Sequence, residues 1–598
     1  MLCIPCVRDQ PDRINPKLID PNLLKSPIPR ATLLSGACFL AIVPFFCYGT
    51  PSGHDFEFHT FSWMEVLNQW KHGILYPRWA ALAHWGYGEA RFLFYPPASW
   101  TLGAALGAIL PWKTVPGAYC FLALLLAATS MYRLAREWLS PPDALFAAAF
   151  YALNAYHLLI VYWRSAYAEL LAAALLPLLV RSLLRLTEVA ENDPGVRPTL
   201  MLSLVLAGAW LTNEPAAIMI HYSAAALVLF LAFTQAKPAA VRTVLRTAAA
   251  TLLGAGLAAF YLLPAIYERS WINLSEVLSP GVRPQDNFLF TTLADPDHNR
   301  FNLLVSTVAL AEIVALIFAI YFARKRQEHR RAWIILSSWA ILVVLLMLKP
   351  SYWLWQRLPE LRFVQLPFRW LLCMNAALAI LLLMATKRWS VRFATLTILL
   401  AALFISGHHF QPPWWEKAAD FQDMNNAVAD GSGYDGTDEY VPAGDDPYEL
   451  NKTLPPISAA SIRDDSAKND SPKNDSPSDD SAISIPAKIQ TWESTEKHFT
   501  VHASAKQNLI VRLFSYPAFE VTVNGKPTTT SKTDVTGLIV IPVDAGDNDI
   551  HIHFSVTKDR LLGDIVSSIS LAILVSAWFS RGWIRGAQPR AQEKSLVT

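Results

Sequence analysis

A tight cluster of acidic and imidazole side chains stands at Gly53-His54-Asp55-Phe56-Glu57-Phe58-His59. If this stretch is extended, Asp55, Glu57 and His59 share one face, because strand side chains alternate. If it is helical, Asp55 and His59 share a face four residues apart. Either geometry sets a carboxylate beside an imidazole, a pair that can take a proton from an acceptor hydroxyl or hold a divalent ion. Asp55, Glu57 and His59 are therefore the catalytic candidates, and Asp55 with His59 the metal-ligand candidates. The plainer reading is a solvated cap at the end of an apolar run.

Further candidates follow along the chain. Tyr76-Pro77-Arg78-Trp79, His84 and Tyr95-Pro96-Pro97 join stiff proline turns to aromatics suited to a membrane interface. Arg78 can bind a phosphate at headgroup level, whether of a substrate or of bulk lipid. In Trp163-Arg164-Ser165-Ala166-Tyr167-Ala168-Glu169, Arg164 and Glu169 are five apart and need not pair on one helix. They can put a charge at each lip of a cavity, or form an ion pair that only fixes packing. Arg362 and Arg369 flank Gln365 in the stretch 361–370. Two guanidiniums there can clamp a phosphate or pyrophosphate, or anchor the loop at the interface together with Trp370. The substrate-binding candidates are thus Arg78, His84, Tyr95, Arg164, Glu169, Arg362, Gln365 and Arg369.

Other motifs carry less. Asn213-Glu214-Pro215 reads as a turn between apolar runs with no site role. Asp435, Asp438, Glu439, Asp445 and Asp446 are dense carboxylates without the spacing of an EF-hand, and read as a solvated acidic loop. Cys3 and Cys6 form a CxxC, two ligands short of a zinc site.

These residues hang on a strongly apolar chain. Of 598 residues, 53% are hydrophobic and 16% charged, against about 25% charged in soluble domains. Runs of roughly 20 residues with almost no charge recur, the length that crosses a bilayer core. Thirteen candidates lie between Ala31–Tyr48 and Leu561–Phe579. The short piece Ala98–Leu110 reads as re-entrant or half-crossing, since thirteen crossings cannot leave both ends on one side. Phe61–Trp70 has an amphipathic helical period and reads as a helix lying in the interface, a wall or an anchor beside the first loop. A net charge of +2 gives no footprint for nucleic acid.

Orientation follows the bias of Lys and Arg toward the cytoplasmic side. Arg324-Lys325-Arg326 with Arg330 and Arg331, Lys387-Arg388 with Arg392, and the tail bearing Arg581, Arg585 and Arg590 fall inside. The expected organisation is a cytoplasmic tail over 1–30 and a multi-span region over 31–410, with its first outer loop at 49–97. An outer acidic linker over 411–486 follows, then an outer β domain over 487–557, a final span over 561–579 and a cytoplasmic tail over 580–598. The linker repeats KNDSP and is rich in Ser, Asp and Pro, so disorder is expected over Asp464–Asp480. The β domain is read from short β-rich runs and the hairpin signal Asn524-Gly525. The fold class is mainly α, a polytopic transmembrane bundle with a small β-sandwich near its C-terminus.

An acid in the first outer loop, an interfacial helix and a Tyr-Pro-Pro lip on a polytopic body resemble the GT-C superfamily of glycosyltransferases. More narrowly, GHDFEFH, GILYPRW, FLFYPPASW, YWRSAYAE and RFVQLPFRW resemble the bacterial integral membrane family labelled 6-pyruvoyl-tetrahydropterin synthase-related. That label is not an activity, because pterin synthesis of that kind uses a soluble zinc enzyme with a histidine triad that this sequence does not show. The superfamily resemblance implies transfer of a sugar from a polyprenyl-phosphate donor to a glycan or protein acceptor on the outer face of the bacterial inner membrane. It implies Asp55 as the base on the acceptor hydroxyl, with Glu57 and His59 orienting it or helping to bind a divalent cation. Arg164, Arg362 and Arg369 would then meet the donor phosphate. The competing readings are a transporter or flippase for lipid-linked glycans, which needs ionisable residues near the membrane midplane, and a non-catalytic membrane assembly protein.

Overall fold

The structure, a computed structural model, describes residues 27–191, 193–325, 329–459 and 483–586. The CxxC at Cys3 and Cys6, Arg326, the stretch Asp464–Asp480 with its KNDSP repeats, and Arg590 lie outside the described residues.

Eight helices are long and apolar enough to cross a bilayer, among them Trp112–Ala135, Pro141–Arg164, Tyr167–Thr187, Glu214–Phe233, Pro296–Ala323 and Pro367–Ala385. Two further pairs form bent spans: Lys237–Leu257 turns by 76° into Ala259–Trp271, and Arg330–Leu346 turns by 89° into Lys349–Arg357. Ile28–Leu40 and Val196–Thr212 are shorter apolar helices, giving twelve in all among the described residues. The expected thirteenth, Ala98–Leu110, is an eleven-residue helix, Pro97–Gly107. It is only about 16 Å long, half of a roughly 30 Å hydrocarbon core. It packs instead on the helix Phe56–Lys71, where Gly103 lies under the Trp63 ring.

Local chemistry sets the helix starts. Prolines in the first turn open the helices at Pro97, Pro141, Glu214, Lys237 and Pro296, where no backbone donor is lost. Side chains of Ser140, Asn154, Asn213 and Asp295 cap free N–H groups. Short links around 136–140, 165–166, 213, 234–236 and 386–388 join successive helices.

The helix expected over Phe61–Trp70 runs over Phe56–Lys71, and Trp63, Met64 and Val66 are fully covered. It is a wall inside the protein rather than a helix resting on lipid.

Two antiparallel five-stranded sheets form the β-sandwich. One orders Ser531–Lys532, Leu538–Val543, Gln507–Phe514, Ile457–Ala459 and Ile483–Ser484; the other orders Ala487–Trp492, Glu496–Ala503, Gly546–Phe554, Phe519–Val523 and Lys526–Pro527. Strands at 457–459 and 483–484 thus join the sandwich from the stretch read as linker, and Ala418–Ala429 in that stretch is a helix. Asn524 and Gly525 both have positive φ, as a tight hairpin turn requires.

The sandwich core is continuous with the first loop: Trp79, Tyr87, Leu93 and Phe94 pack with Leu509, Ile510, Val540 and Ile550. Trp79 is fully buried and meets the rings of Tyr516, Phe519 and Phe554 at 5.2–6.0 Å between centroids. Gly88 makes room for it, since a Cβ there would lie 2.1 Å from the Trp79 Nε1. A short pairing of Thr50–Ser52 with Trp414–Glu416 fastens the same loop to the stretch after the helix Trp389–Phe410.

Candidate functional site

A cavity of about 670 Å³ lies at the sandwich end of the helical body. Asp55, Tyr95, Arg164, Glu169, Gln365 and Arg369 all line it. They come from four separate stretches of chain, and backbone contacts explain how they meet.

Asp55 is the residue preceding the helix Phe56–Lys71, and its N–H donates to the Arg164 carbonyl at 2.9 Å. The Gly53 N–H donates to the Ser165 hydroxyl at 2.9 Å, and that hydroxyl donates to the Pro51 carbonyl at 3.1 Å. A Cβ on Gly53 would sit 2.4 Å from the Arg164 carbonyl carbon, so the contact needs glycine. The span Pro141–Arg164 ends in a π-helical turn over Ile160–Arg164, and Ser165 follows with φ of 50°. Such bulges concentrate at functional sites. Here the bulge delivers the Arg164 side chain to the cavity wall and its carbonyl to the first loop.

Two guanidiniums share one carboxylate. Arg164 Nη1 lies 2.6 Å from Glu169 Oε2 and donates to the Tyr156 hydroxyl at 3.1 Å. That hydroxyl donates to Glu169 Oε1 at 2.6 Å. Arg369 Nε sits 3.2 Å from Glu169 Oε2 without the alignment of a hydrogen bond. Arg369 Nη1 donates to the Val364 carbonyl at 2.9 Å and to Gln365 Oε1 at 3.0 Å. Arg164 and Glu169 are 2% and 1% exposed, and Arg369 9%. The trio carries one net positive charge in a poorly solvated place, which the Asp55 carboxylate lining the same cavity offsets. Asp55 is close enough to interact electrostatically with both arginines.

The other candidates go elsewhere. The helix begins at Phe56, so Glu57 turns to the exposed side while His59 turns inward. His59 packs among Tyr95, Trp63 and Tyr167, and burial pushes its imidazole down to about 4 despite the nearby Asp55. It is neutral near pH 7 and does not line the cavity. Among the described residues no three His, Cys, Asp or Glu side chains converge in metal-binding geometry. Asp55 lines the cavity while His59 stays behind it among aromatic rings. Arg78 stacks on the Tyr76 ring at 5.1 Å, away from the cavity. Arg362 is exposed and lies over Phe363 at 5.0 Å.

His84 belongs to a buried clamp that holds the cavity roof. Its Nε2 is 3.0 Å from Glu89, and Arg91 reaches the same carboxylate at 2.5 Å. Burial alone would raise the Glu89 carboxyl, yet Arg91 and then His84 hold it down at about 2. Glu89 accepts the Thr437 N–H at 2.8 Å, the Tyr434 hydroxyl donates to Glu65 at 2.5 Å, and the Ala90 N–H donates to the Tyr440 carbonyl at 3.2 Å. The segment 434–440 is thereby pinned on the first loop, and Thr437, Glu439 and Tyr440 face the cavity.

Two groups dismissed from sequence are thus cavity-lining. Glu439, read as part of a solvated loop, is pushed up to about 7 by burial, with Glu89 adding to the effect. Its signal was the run Glu439-Tyr440-Val441, an acid joined to apolar residues in an otherwise polar stretch. Asn213 and Glu214, read as a bare turn, also line the cavity with Tyr95, and Glu214 accepts the Tyr261 hydroxyl at 2.6 Å. A third acid was missed altogether. Glu312 sits fully buried within Pro296–Ala323, a span that reads as apolar.

Chemically, the cavity offers a buried cationic end and an aspartate beside it, at the rim of a many-span helical body. Fold and site together define a polytopic membrane protein with an appended β-sandwich and a solvent-reaching cavity between them. The chain belongs to the family described as 6-pyruvoyl-tetrahydropterin synthase related domain, membrane protein, whose sequence pattern matches residues 92–411, more than half of its length. No curated protein matches it. Among solved structures it is similar to ArnT from Cupriavidus metallidurans bound to undecaprenyl phosphate, at 13% identity and a TM-score of 0.40, covering 67% of this chain and 69% of that one. It is also similar to the arabinofuranosyltransferase AftD from Mycobacteria, at 16% identity and 0.39, covering 70% of this chain and 29% of that one. A third is the apo oligosaccharyltransferase of Archaeoglobus fulgidus, at 12% identity and 0.39, covering 68% and 56%. At these identities and scores, none of them fixes a reaction or substrate for this chain.

Proposed function

We propose that this protein is a glycosyltransferase of the GT-C type, transferring a sugar from a polyprenyl-phosphate donor to a glycan or protein acceptor on the outer face of the bacterial inner membrane. One observation carries this reading: Asp55 and the Arg164–Glu169–Arg369 cluster line the same cavity, at the end of the bundle opposite the basic loops. By the positive-inside bias that end is extracytoplasmic. With an even number of crossings, both ends of the described stretch would face the cytoplasm, as the basic loops do.

The arginine pair meets the donor phosphate and stabilises charge on it as the sugar leaves. Asp55 accepts the proton of the acceptor hydroxyl, which makes the acceptor oxygen the nucleophile. The bond from sugar to phosphate oxygen breaks as the bond from sugar to acceptor forms. Asp55→Asn tests the assignment in proteoliposomes loaded with polyprenyl-phosphate sugars. Transfer should fall by about 10²- to 10⁴-fold, the usual worth of a general base, while binding of the phosphate lipid is kept. Undiminished transfer by Asp55→Asn removes the proposed base.

Glu312 favours the transporter reading, since it is an acid deep in a span. It does not line the cavity, and its contacts give it another task.

A further inference from the structure

The span Pro141–Arg164 is broken in its middle. Its first helix stops at Ala152, and a second, Ala155–Leu159, restarts on Asn154. A restarted helix exposes N–H groups that have no intrahelical partner, and inside an apolar bundle no water meets them. The Asn154 side chain accepts the His157 N–H at 2.8 Å. Glu312 Oε1 accepts the Tyr156 N–H at 3.2 Å, with the Ala155 N–H as a second donor. Glu312 Oε2 accepts from Asn375 Nδ2 at 2.9 Å. Asn375 belongs to the span Pro367–Ala385 and also donates to its own Leu371 carbonyl at 3.0 Å. Glu312, Asn375 and Tyr156 are all fully buried.

The two partners of Glu312 lie on the two helices that carry the cavity arginines. Tyr156 stands eight residues before Arg164 and Asn375 six after Arg369. Tyr156 is also the residue whose hydroxyl bonds both Arg164 and Glu169. One carboxylate deep in the bundle therefore ties the backbone of the first arginine helix to the side chain of the second.

We propose that Glu312 is a positioning residue that sets the separation of the Arg164 and Arg369 guanidiniums, and with it the anion affinity of the cavity. The proposal rests on the reading of that cavity as a phosphate-lipid site, and goes beyond it by assigning the mid-span acid. The Glu312 side chain offers one oxygen to each of the two helices. Both of its oxygens are hydrogen-bonded.

The test compares Glu312→Gln with Glu312→Leu in the full-length protein. Glutamine keeps an acceptor for the Tyr156 N–H, and its amide can donate to Asn375 Oδ1, which has no hydrogen-bond partner in the structure. Leucine keeps neither link. Decaprenyl phosphate in detergent micelles is the probe. Its Kd should rise tenfold or more in Glu312→Leu and stay within about threefold of wild type in Glu312→Gln. Equal affinities in the leucine variant and the wild type overturn the proposal, as does a glutamine variant as weak as the leucine one. If Glu312→Leu does not fold, Asn375→Ala cuts the Arg369 arm alone and should raise Kd at least threefold; no change overturns the proposal. Should the wild type bind no decaprenyl phosphate, the functional reading fails separately. The positioning role is then decided by a cryo-EM structure of Glu312→Leu or of Asn375→Ala. The 3.2 Å approach of Arg369 to Glu169 should open beyond 4 Å, and an unmoved Arg369 refutes the role.

Discussion

Replacing Arg369 with alanine should strip the cavity of most of its affinity for a phosphate headgroup and leave the fold standing. The side chain contacts the Val364 carbonyl at 2.9 Å, the Gln365 amide at 3.0 Å and Glu169 at 3.2 Å. Without it, Glu169 keeps its two closest partners, Arg164 and the Tyr156 hydroxyl, each at 2.6 Å. No buried carboxylate is orphaned, so the large penalty for a stranded charge does not arise. What changes is the charge of the trio, which drops from one positive to zero. A hydrogen bond to a charged group is worth about 1.5–3 kcal/mol, so the Kd for decaprenyl phosphate should rise about 10- to 150-fold. Arg369→Lys keeps the charge but not the planar fork, and should fall between. Titration of the detergent-purified protein measures this, with the thermal midpoint followed in parallel. An Arg369→Ala protein that binds decaprenyl phosphate within twofold of wild type, at an unchanged midpoint, refutes the assignment of this end of the cavity.

Gly53→Ala should push the first loop off the end of the span Pro141–Arg164, because the new Cβ would lie 2.4 Å from backbone. Hydrogen–deuterium exchange should then show lost protection at the Asp55 amide, which bonds the Arg164 carbonyl; retained protection counts against the loop docking described. Glu439, raised by burial from its ordinary 4.5 to about 7, binds its proton more tightly in the folded protein than in the unfolded chain. Its contribution to stability is full below about 4.5 and is lost as pH rises through about 7. Wild-type midpoints should therefore fall between pH 5 and 8 relative to those of Glu439→Gln, and parallel pH profiles would contradict the buried placement. Arg560 makes a two-pronged contact with Glu268 at 2.7 and 2.8 Å, both side chains being at most 1% exposed. Arg560→Met should cost about 3–5 kcal/mol of stability, and adding Glu268→Gln should recover most of it; chemical unfolding in detergent reads both, and an additive double variant is the contrary result.

Much of this architecture is legible in the chain itself. Apolar run length marks the spans, and Asn524-Gly525 between β-rich runs marks a hairpin. The cluster around Asp55 signals a loop where charge is out of place. Local pattern is enough for these because each depends on neighbours in sequence. Arg164 and Glu169 look unpaired from their spacing, since five residues do not align on a regular helix. The pairing exists because a π-turn and the left-handed Ser165 bring the chain back on itself. Glu312 is hidden because one acid barely dents the hydropathy of a 28-residue helix. Glu439 reads as solvated because its burial depends on Glu89 and Glu65, more than 340 residues earlier. For Glu312 and Glu439 tertiary contact decides the role, and for the Arg164–Glu169 pair an irregular backbone does.

The seating of Trp79 in the sandwich core has a consequence for biosynthesis. Asp55 and the Trp79 loop leave the ribosome hundreds of residues ahead of the roof segment 434–440 and of the aromatic socket of Tyr516, Phe519 and Phe554. Nascent protein thus threads its helices into the bilayer long before the pocket can close. A polypeptide cut short before residue 516 inserts as a greasy bundle with an unfinished mouth, because the whole aromatic socket for Trp79 is missing.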